Sequence, residues 1–173
     1  AITLFSTPIP DDWSAHAQFL AGGDDSRRLH AWAGGRGDIG PFEAGVLIET
    51  FQNRTDGFKE LDNGGDTGFD VSDYVIKAGV FSKDGAAIEQ SLVFKYQRSD
   101  ERSNETYVGL TRDDFALTPR RRYNGSQNDQ FNSDHETFQL SYTAAFSPSV
   151  DLNITAYRTE FARDWFKLES VLG

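Results

Sequence analysis

Apolar and polar residues alternate along most of this chain in stretches of about ten residues, which is the period expected of β-strands. The clearest stretch is 136–146, where one set of alternate positions is apolar and the other set is polar. The apolar positions of that stretch are Phe138, Leu140, Tyr142, Ala144 and Phe146. The period of an amphipathic helix is nearly absent. The sequence therefore predicts an all-β protein.

Six further stretches alternate in the same way, so the pattern predicts seven strands that follow a short extended opening. Three of the six are clear: 73–80, 91–97 and 151–156. Three are weaker: 13–21, 29–34 and 42–52. The extended opening covers 2–6, and Pro8 and Pro10 end it because proline cannot donate to a sheet ladder.

The predicted connections between these strands are either very short or very long. Tight turns are expected at 37–41, 83–86 and 147–150, and Asp84-Gly85 is a strong hairpin signal. Long connections cover 54–70 and 99–133, and insertions of that length usually carry function. Short turns at one end and long loops at the other are typical of an outer-membrane β-barrel. A soluble β-sandwich with two elaborated loops fits the same pattern.

Aromatic residues favour the barrel because they gather at the two ends of the predicted strands. Trp13, Phe42 and Phe146 lie at the tight-turn end, and Tyr74 and Tyr96 lie on the apolar face at the long-loop end. Strands that cross a membrane carry such aromatic rows at its two interfaces. The opposite face is polar, which suits a hydrated lumen or a polar plug.

The number of predicted strands indicates a piece of a larger barrel. Bacterial barrels have an even number of strands, and seven strands leave two unpaired edges that lipid cannot accommodate. The chain also begins at Ala1 without Met or a signal peptide. We therefore expect an antiparallel transmembrane β-barrel of which this chain supplies seven strands.

Composition excludes several classes of function. A net charge of −10 argues against nucleic acid as a partner, because phosphate binding needs a basic surface. The absence of cysteine excludes disulfides, cysteine-ligated zinc and thiol catalysis. A mean hydropathy of −0.54 without a long apolar run excludes a membrane-spanning helix, whereas a strand that is apolar on one face leaves no hydropathy peak.

Arginines in the longest loop are the strongest candidates for ligand binding. Arg120, Arg121 and Arg122 form the one basic cluster of an acidic chain, and Tyr123 follows them. Guanidinium groups there could hold an anionic ligand through bidentate hydrogen bonds, or could pair with Asp113, Asp114 or Asp129 inside the loop. Arg163, after the last strand, is a second candidate, with an ion pair to Glu160 or Asp164 as its alternative.

No other pattern indicates catalysis or a bound cofactor. The carboxylates of the Gly-rich segment 62–70 invite a calcium interpretation, but they lack the spacing of an EF-hand, so a solvated loop tip is preferred. His16, His30 and His135 stand alone in the sequence, and no motif of a hydrolase, zinc protease or P-loop occurs. The sequence predicts neither an enzyme nor a metal site.

Three regions of the chain resemble TonB-dependent outer-membrane transporters of the ferric-citrate branch. The opening AITLFSTPIP at 1–10 resembles the end of the plug domain. The segments ETYVGLT at 105–111, DDF at 113–115 and PRRRY at 119–123 resemble the third extracellular loop of that branch. The segment TAYRTEFARDWFKL at 155–168 is similar to its seventh barrel strand and the start of its fourth loop.

The resemblance implies that 1–10 ends a plug domain and that 11–173 is the N-terminal part of a 22-stranded barrel in the bacterial outer membrane. It implies uptake of a ferric chelate, energised by the TonB complex through a preceding part of the protein, without catalysis. Substrate contact would fall to Arg120, Arg121, Arg122, Tyr123 and Arg163. Two alternatives stay open: a self-contained small barrel acting as anchor or adhesin, and a soluble β-sandwich that binds carbohydrate on Trp32, Trp165 and Phe166.

Overall fold

A computed structural model describes residues 6–169, and its main feature is one antiparallel sheet of seven strands. The strands of this sheet, in spatial order, are β1 (Ser14–Ala21), β2 (Arg27–Ile39), β3 (Phe42–Thr55), β5 (Phe69–Ser82), β6 (Glu89–Ser103), β8 (Gln130–Ser147) and β9 (Val150–Phe166). Neighbours in the sheet are also neighbours in the chain. The all-β prediction and the seven strands are confirmed.

The two long loops contain structure of their own. A second sheet of two short parallel strands joins them, with β4 (Glu60–Leu61) in the first loop and β7 (Arg121–Arg122) in the second. The second loop also holds the helix α1 (Arg112–Leu117) and a 3₁₀ turn at Asn124–Ser126. The long connections predicted at 54–70 and 99–133 thus contain secondary structure that the sequence pattern did not predict.

The strands on either side of these loops are longer than alternation indicates. β6 continues to Ser103 and β8 begins at Gln130, so the second loop shrinks to 104–129. Both faces carry polar residues in the parts of β6 and β8 that lie beyond the predicted strands. A segment that is polar on both faces shows no alternation of apolar and polar residues, so the pattern does not predict it. Backbone pairing needs no apolar face, and the β6–β8 ladder continues through Ser103 and Phe131.

The sheet is open. Within residues 6–169, β1 pairs with β2 alone and β9 pairs with β8 alone, so these two strands are its edges. At the opposite end from the long loops the strands connect through tight turns, where Gly40 and Gly85 have the positive φ angles of 59° and 78° that the turns require. The Asp84-Gly85 hairpin signal is confirmed.

One face of the sheet, called here the apolar face, exposes its large side chains. The register aligns them across the strands, so that Ile48 lies opposite Ile76, and Ile76 lies opposite Tyr96. The exposed members of this face include Phe19, Ile39, Phe42, Val46, Ile48, Tyr74, Ile76, Val80, Leu92, Phe94, Phe138, Leu140, Leu152, Ile154 and Phe166. In the described part of the chain, the buried hydrophobic residues are Ile9, Leu47, Val75 and Ala144.

The two aromatic rows bound this apolar zone. Trp13, Phe42 and Phe146 are exposed near the tight turns, as expected. Tyr74 and Tyr96 lie within β5 and β6 instead of at their ends, because those strands run past them into the polar segment. The Tyr96 hydroxyl donates to Glu136 Oε1 at 2.8 Å. The row of Tyr74 and Tyr96 is therefore in contact with the charged residues of the adjoining polar segment.

The other face, called the strap face, carries the extended segment Ser6–Pro10, the strap. The residues 1–5 of the predicted opening and plug end lie outside the described part. Buried Lys77 donates from Nζ to the carbonyl oxygens of Ser6 and Thr7. The Thr7 hydroxyl donates to Glu49 Oε1 at 2.7 Å.

Further along the strap, Arg36 and Gly45 fix its second half. Arg36 donates to the Ile9 carbonyl at 3.2 Å, pairs with Asp11 at 2.8 Å and stacks its guanidinium on the Phe81 ring at 3.6 Å. Gly45 leaves room for Ile9, because a Cβ there would lie 2.8 Å from Ile9 Cγ2.

The substitution Gly45→Val tests how tightly the strap is packed. The added side chain overlaps Ile9 and Arg36, so we expect a loss of about 1–3 kcal/mol in the free energy of unfolding, measured by urea titration. Gly37→Val is the matched control, since Gly37 is also a strand glycine and a Cβ there meets no atom within 4 Å. Equal stability of the two variants would contradict the packing of the strap against β3.

Candidate functional site

The long-loop end of the sheet is the candidate site, and the two loops meet there through the β4–β7 ladder. The amide of Glu60 donates to the Arg120 carbonyl at 2.7 Å, and the amide of Asp62 donates to the Arg122 carbonyl at 3.0 Å. The backbone of the predicted arginine cluster is therefore part of the structure that joins the loops.

Helix α1 begins with a capping interaction that the sequence explains. The Thr111 hydroxyl accepts from the Asp114 amide at 3.1 Å and donates to Asp114 Oδ2 at 3.0 Å. The Tyr123 hydroxyl also donates to Asp114 Oδ2, and it accepts from the Thr111 amide at 3.1 Å. The hydrogen bonds from Tyr123 and Thr111, with the charge of Arg121, lower the pKa of the Asp114 carboxyl.

Arg121 bridges the two loops through a pair of carboxylates. Its Nε lies 2.7 Å from Asp62 Oδ1 in the first loop, and its NH1 lies 2.8 Å from Asp114 Oδ1 in the second loop. The hydrogen bond with Arg121 lowers the pKa of Asp62. The guanidinium also lies 5.0 Å from the centre of the Tyr123 ring. Arg121 and Tyr123 thus hold the two loops together. The pair of Arg121 with Asp114 is one of those named as the alternative to ligand contact, whereas Asp62 was not among them.

Arg122 is enclosed by its own loop, with 1% of its surface exposed. Its guanidinium donates to the Ser126 hydroxyl and to the carbonyl oxygens of Asn104, Ser126 and Asp129. Burial lowers its pKa. Asp129, equally buried, accepts from the Leu168 amide at 2.8 Å, which ties the chain after β9 to the same loop. An incoming ligand cannot reach Arg122 in this arrangement.

Arg120 and Arg163 are the two predicted arginines that keep exposed side chains. Within residues 6–169 neither forms an ion pair within 4 Å. Arg163 lies on the strap face of β9, opposite Ser133. The alternation of β9 puts Glu160 and Asp164 on the apolar face, which is why the alternative, an ion pair with Arg163, does not form.

Sequence reasoning missed a polar group on the strap face. His30 Nε2 lies 2.7 Å from Glu49 Oε1, the atom that also accepts from Thr7. The rings of His16 and His30 are 5.7 Å apart, and His16 stacks on Trp32. These histidines stand alone in sequence and meet only through the register of β1, β2 and β3. Alternation indicated their shared face, but it carried no signal for their pairing.

A second missed group is aromatic and lies beside the long loop. Trp165 meets the rings of Tyr107 and Phe131 edge to face at 6.3 and 5.9 Å. The alternative carbohydrate platform does not form, because Trp165 and Phe166 point to opposite faces and Trp32 lies on distant β2.

Metal-binding and helical membrane segments were searched for over residues 6–169. Two acids of the Asp62–Asp70 region that suggested calcium are engaged by the protein, since Asp62 pairs with Arg121 and Asp66 accepts from the Gly68 amide at 2.8 Å. In that part of the chain no group of three His, Asp or Glu residues is arranged to hold a metal ion. No helix there has the length and apolar character to span a membrane.

Comparisons of the chain with protein-family models, with curated proteins and with solved structures returned no match. What the chain does must therefore be inferred from its own residues and their geometry.

Acid should weaken the contact between α1 and the rest of the loops. The pKa values of Asp62 and Asp114 are lowered in the folded protein, so their contribution is complete above the ordinary carboxyl pKa and is lost as the pH falls through the lowered value. We expect amide protection at Phe115 and Thr118 to decrease between pH 5 and pH 2, measured by hydrogen exchange corrected for intrinsic rates.

The variant Asp114→Asn should show that loss already at neutral pH. Asp113→Asn is the matched control, because Asp113 makes no side-chain hydrogen bond within the described residues. Protection that is the same in both variants would contradict the role of Asp114.

Proposed function

We propose that this chain is part of the wall of an outer-membrane transport barrel that takes up a ferric chelate, energised by TonB. The observation that carries the proposal is the exposed apolar face of a single sheet, bounded by aromatic rows and backed by a polar face. The proposed cargo and energy source rest on the resemblance of the loop and plug-end motifs. The proposed role involves binding and passage without catalysis.

The first support is the imbalance between exposed and buried apolar side chains. Fully burying a large apolar side chain stabilises a protein by about 1.5–3 kcal/mol, and few such residues of this sheet are buried. A soluble sandwich would cover the apolar face with a second sheet, but the second sheet within residues 6–169 is the short β4–β7 pair. Lipid offers an apolar surrounding for this face without a second layer.

The height of the apolar zone also fits a bilayer. From Phe42 to Thr50, which lies opposite Tyr74, β3 covers nine residues. A tilted strand needs about 9–11 residues to cross the hydrocarbon core of a bilayer. Beyond Tyr74 the same face becomes charged, with Arg98, Asp100 and Asp134 in place of apolar residues.

The two sheet edges require further strands in lipid. In a hydrocarbon medium each unpaired backbone N–H or C=O group of β1 and β9 would cost several kcal/mol. Hydrogen bonding to a neighbouring strand removes this cost. We propose that additional strands complete the wall, in keeping with the 22 strands of the transporters that the motifs resemble.

The polar face suits a lumen that contains a plug. In the proposed transporter the strap is the last plug segment, and Lys77, Arg36 and Glu49 attach it to the wall. Traction by TonB on the preceding plug would then move the part before the strap, while the strap stays on β3 and β5. The exposed guanidiniums of Arg120 and Arg163 at the loop end would receive the anionic chelate through charge-assisted hydrogen bonds.

A charge on the apolar face tests the membrane part of the proposal. Ile76→Arg places a guanidinium in the middle of the zone, and we expect a loss of about 2–4 kcal/mol in stability when the protein is folded in lipid vesicles. Ala162→Arg is the matched control, because it lies on the same face in the charged segment. A full-length protein that folds as a detergent-free monomer and tolerates Ile76→Arg would contradict the proposal.

Removal of the exposed guanidiniums tests ligand capture. For the double variant Arg120→Gln, Arg163→Gln in the full-length protein, we expect the affinity for ferric citrate to fall about tenfold or more, since two charge-assisted contacts are lost. Titration calorimetry measures the affinity. Arg158→Gln is the control, because Arg158 lies on the apolar face paired with Glu160. Unchanged affinity in the double variant would exclude arginine capture.

A further inference from the structure

Four separate segments of the chain meet at the long-loop end of the sheet, and we call them together the cap. They are the β1–β2 turn at 22–26, the first long loop at 56–68, the second long loop at 104–129 and the chain after β9 at 167–168. Ordinary surface loops of this kind move independently of one another. The contacts between the four segments decide whether these loops do so.

The first long loop is attached to the β1–β2 turn. The amide of Asp56 and the hydroxyl of Thr55, at the end of β3, both donate to the Asp24 carbonyl, each at 2.9 Å. The Ser26 hydroxyl donates to the Thr55 hydroxyl at 3.1 Å. The turn and the start of the loop therefore share a small hydrogen-bonded network.

The two long loops are attached to each other in two places. The β4–β7 ladder and the ion pairs of Arg121 join them away from the sheet. Where the loops leave the sheet, the amide of Asn104 donates to the Gly68 carbonyl at 2.8 Å. A relative movement of the two loops would have to break both sets of contacts.

The second long loop is attached to the chain after β9. The Leu168 amide donates to Asp129 Oδ1 at 2.8 Å, and Leu168 packs on Gly125, where a Cβ would lie 3.1 Å from Leu168 Cδ2. The Lys167 ammonium lies 4.0 Å from the centre of the Tyr107 ring. The links therefore run without a break from the β1–β2 turn to the last strand of the sheet.

The buried guanidinium of Arg122 gives these links a reason to form together. It donates to the carbonyl oxygens of Asn104, Ser126 and Asp129, and the Arg122 carbonyl accepts from the Asp62 amide of the first loop. A partial opening would leave a buried charge without some of its hydrogen bonds, which costs more than the loss of an exposed contact. The interior of the cap thus favours all of the links or none.

We propose that the cap is one cooperative unit, so that its four segments open and close together and a ligand meets a mouth whose shape is already formed. A change at one link is then felt at links that it does not touch. The second part of the inference rests on the proposed transport function. Arg120, beside β7, and Arg163, on β9, are held in fixed relative positions, so they bind an anion without first being ordered.

Hydrogen exchange of the full-length protein tests the cooperativity through the variant Arg121→Gln, which removes two ion pairs between the long loops. We expect the protection of the Glu60 amide to fall about threefold or more, since each exposed pair contributes modestly. The amides of Asp56 and Leu168, which form links at the two far ends of the cap, should lose protection by the same factor. The Val75 amide, within the sheet, should keep its protection.

Arg98→Gln is the matched control, because Arg98 also pairs with two aspartates, Asp100 and Asp134, but within the sheet. It should leave the cap amides unchanged. Loss of protection at Glu60 alone in Arg121→Gln, or no loss at any cap amide, would overturn the cooperative unit. Equal loss at Val75 would mean that the whole sheet unfolds, and it would contradict a separate unit as well.

A disulfide between the two long loops tests the preformed mouth. Glu60→Cys with Arg121→Cys puts two thiols at paired ladder positions, about 4.8 Å apart between Cα atoms, which suits a disulfide. The chain has no cysteine of its own. We expect the oxidised full-length protein to bind ferric citrate within about twofold of the affinity of the unlinked control Glu60→Ser, Arg121→Ser, measured by titration calorimetry.

The outcomes separate this inference from the proposed function. If the oxidised protein binds about tenfold more weakly than the serine control, the loops must move apart to admit the ligand, and the preformed mouth is excluded. Loss of binding in both variants but not in the parent protein would exclude it too, because a linked cap should keep its mouth. If the parent protein does not bind ferric citrate, the transport proposal fails, and hydrogen exchange decides the cooperativity of the cap by itself.

Discussion

The cross-strand register is the constraint on which the rest of this structure depends. It places Ile48, Ile76 and Tyr96 in one row and Glu49, Val75 and Gln97 in the next, so the apolar zone lies on one face and the seat of the strap lies on the other. A slip of one residue between two strands would move every side chain of a strand to the other face. A slip between β3 and β5 would break up both the apolar zone and the seat of the strap, since both strands contribute to each.

Two buried cations hold irregular segments of the chain in place, and they do so in the same way. Lys77 donates to carbonyl oxygens of the strap, and Arg122 donates to carbonyl oxygens of the long loop. A buried charge needs hydrogen bonds to compensate the water it has lost. Backbone carbonyls supply them here, so each cation fixes the course of the main chain instead of neutralising a carboxylate.

Sequence reasoning recovered what depends on local periodicity and missed what depends on register. Alternation located the seven strands and sorted their faces, but it lost β6 at about Ser99, where polar residues occupy both faces. The arginine cluster was found as a cluster, yet its three members differ completely, because Arg121 meets Asp62 from another loop and Arg122 turns inward. The spacing of residues in the sequence shows neither the contact of Arg121 with Asp62 nor the burial of Arg122. The contact of His30 with Glu49 was hidden for the same reason.

The parallel ladder between β4 and β7 has a consequence for the order of folding. It joins Glu60 to Arg121, which are far apart in the chain. The hydrogen bonds of a two-residue ladder cannot by themselves compensate the entropy lost when so long a loop is closed. The hairpins β2–β3, β5–β6 and β8–β9 close over short turns and can pair early. Only after β5 lies between β3 and β6 are the two loops neighbours. The loop end is thus assembled last, on a sheet that already exists.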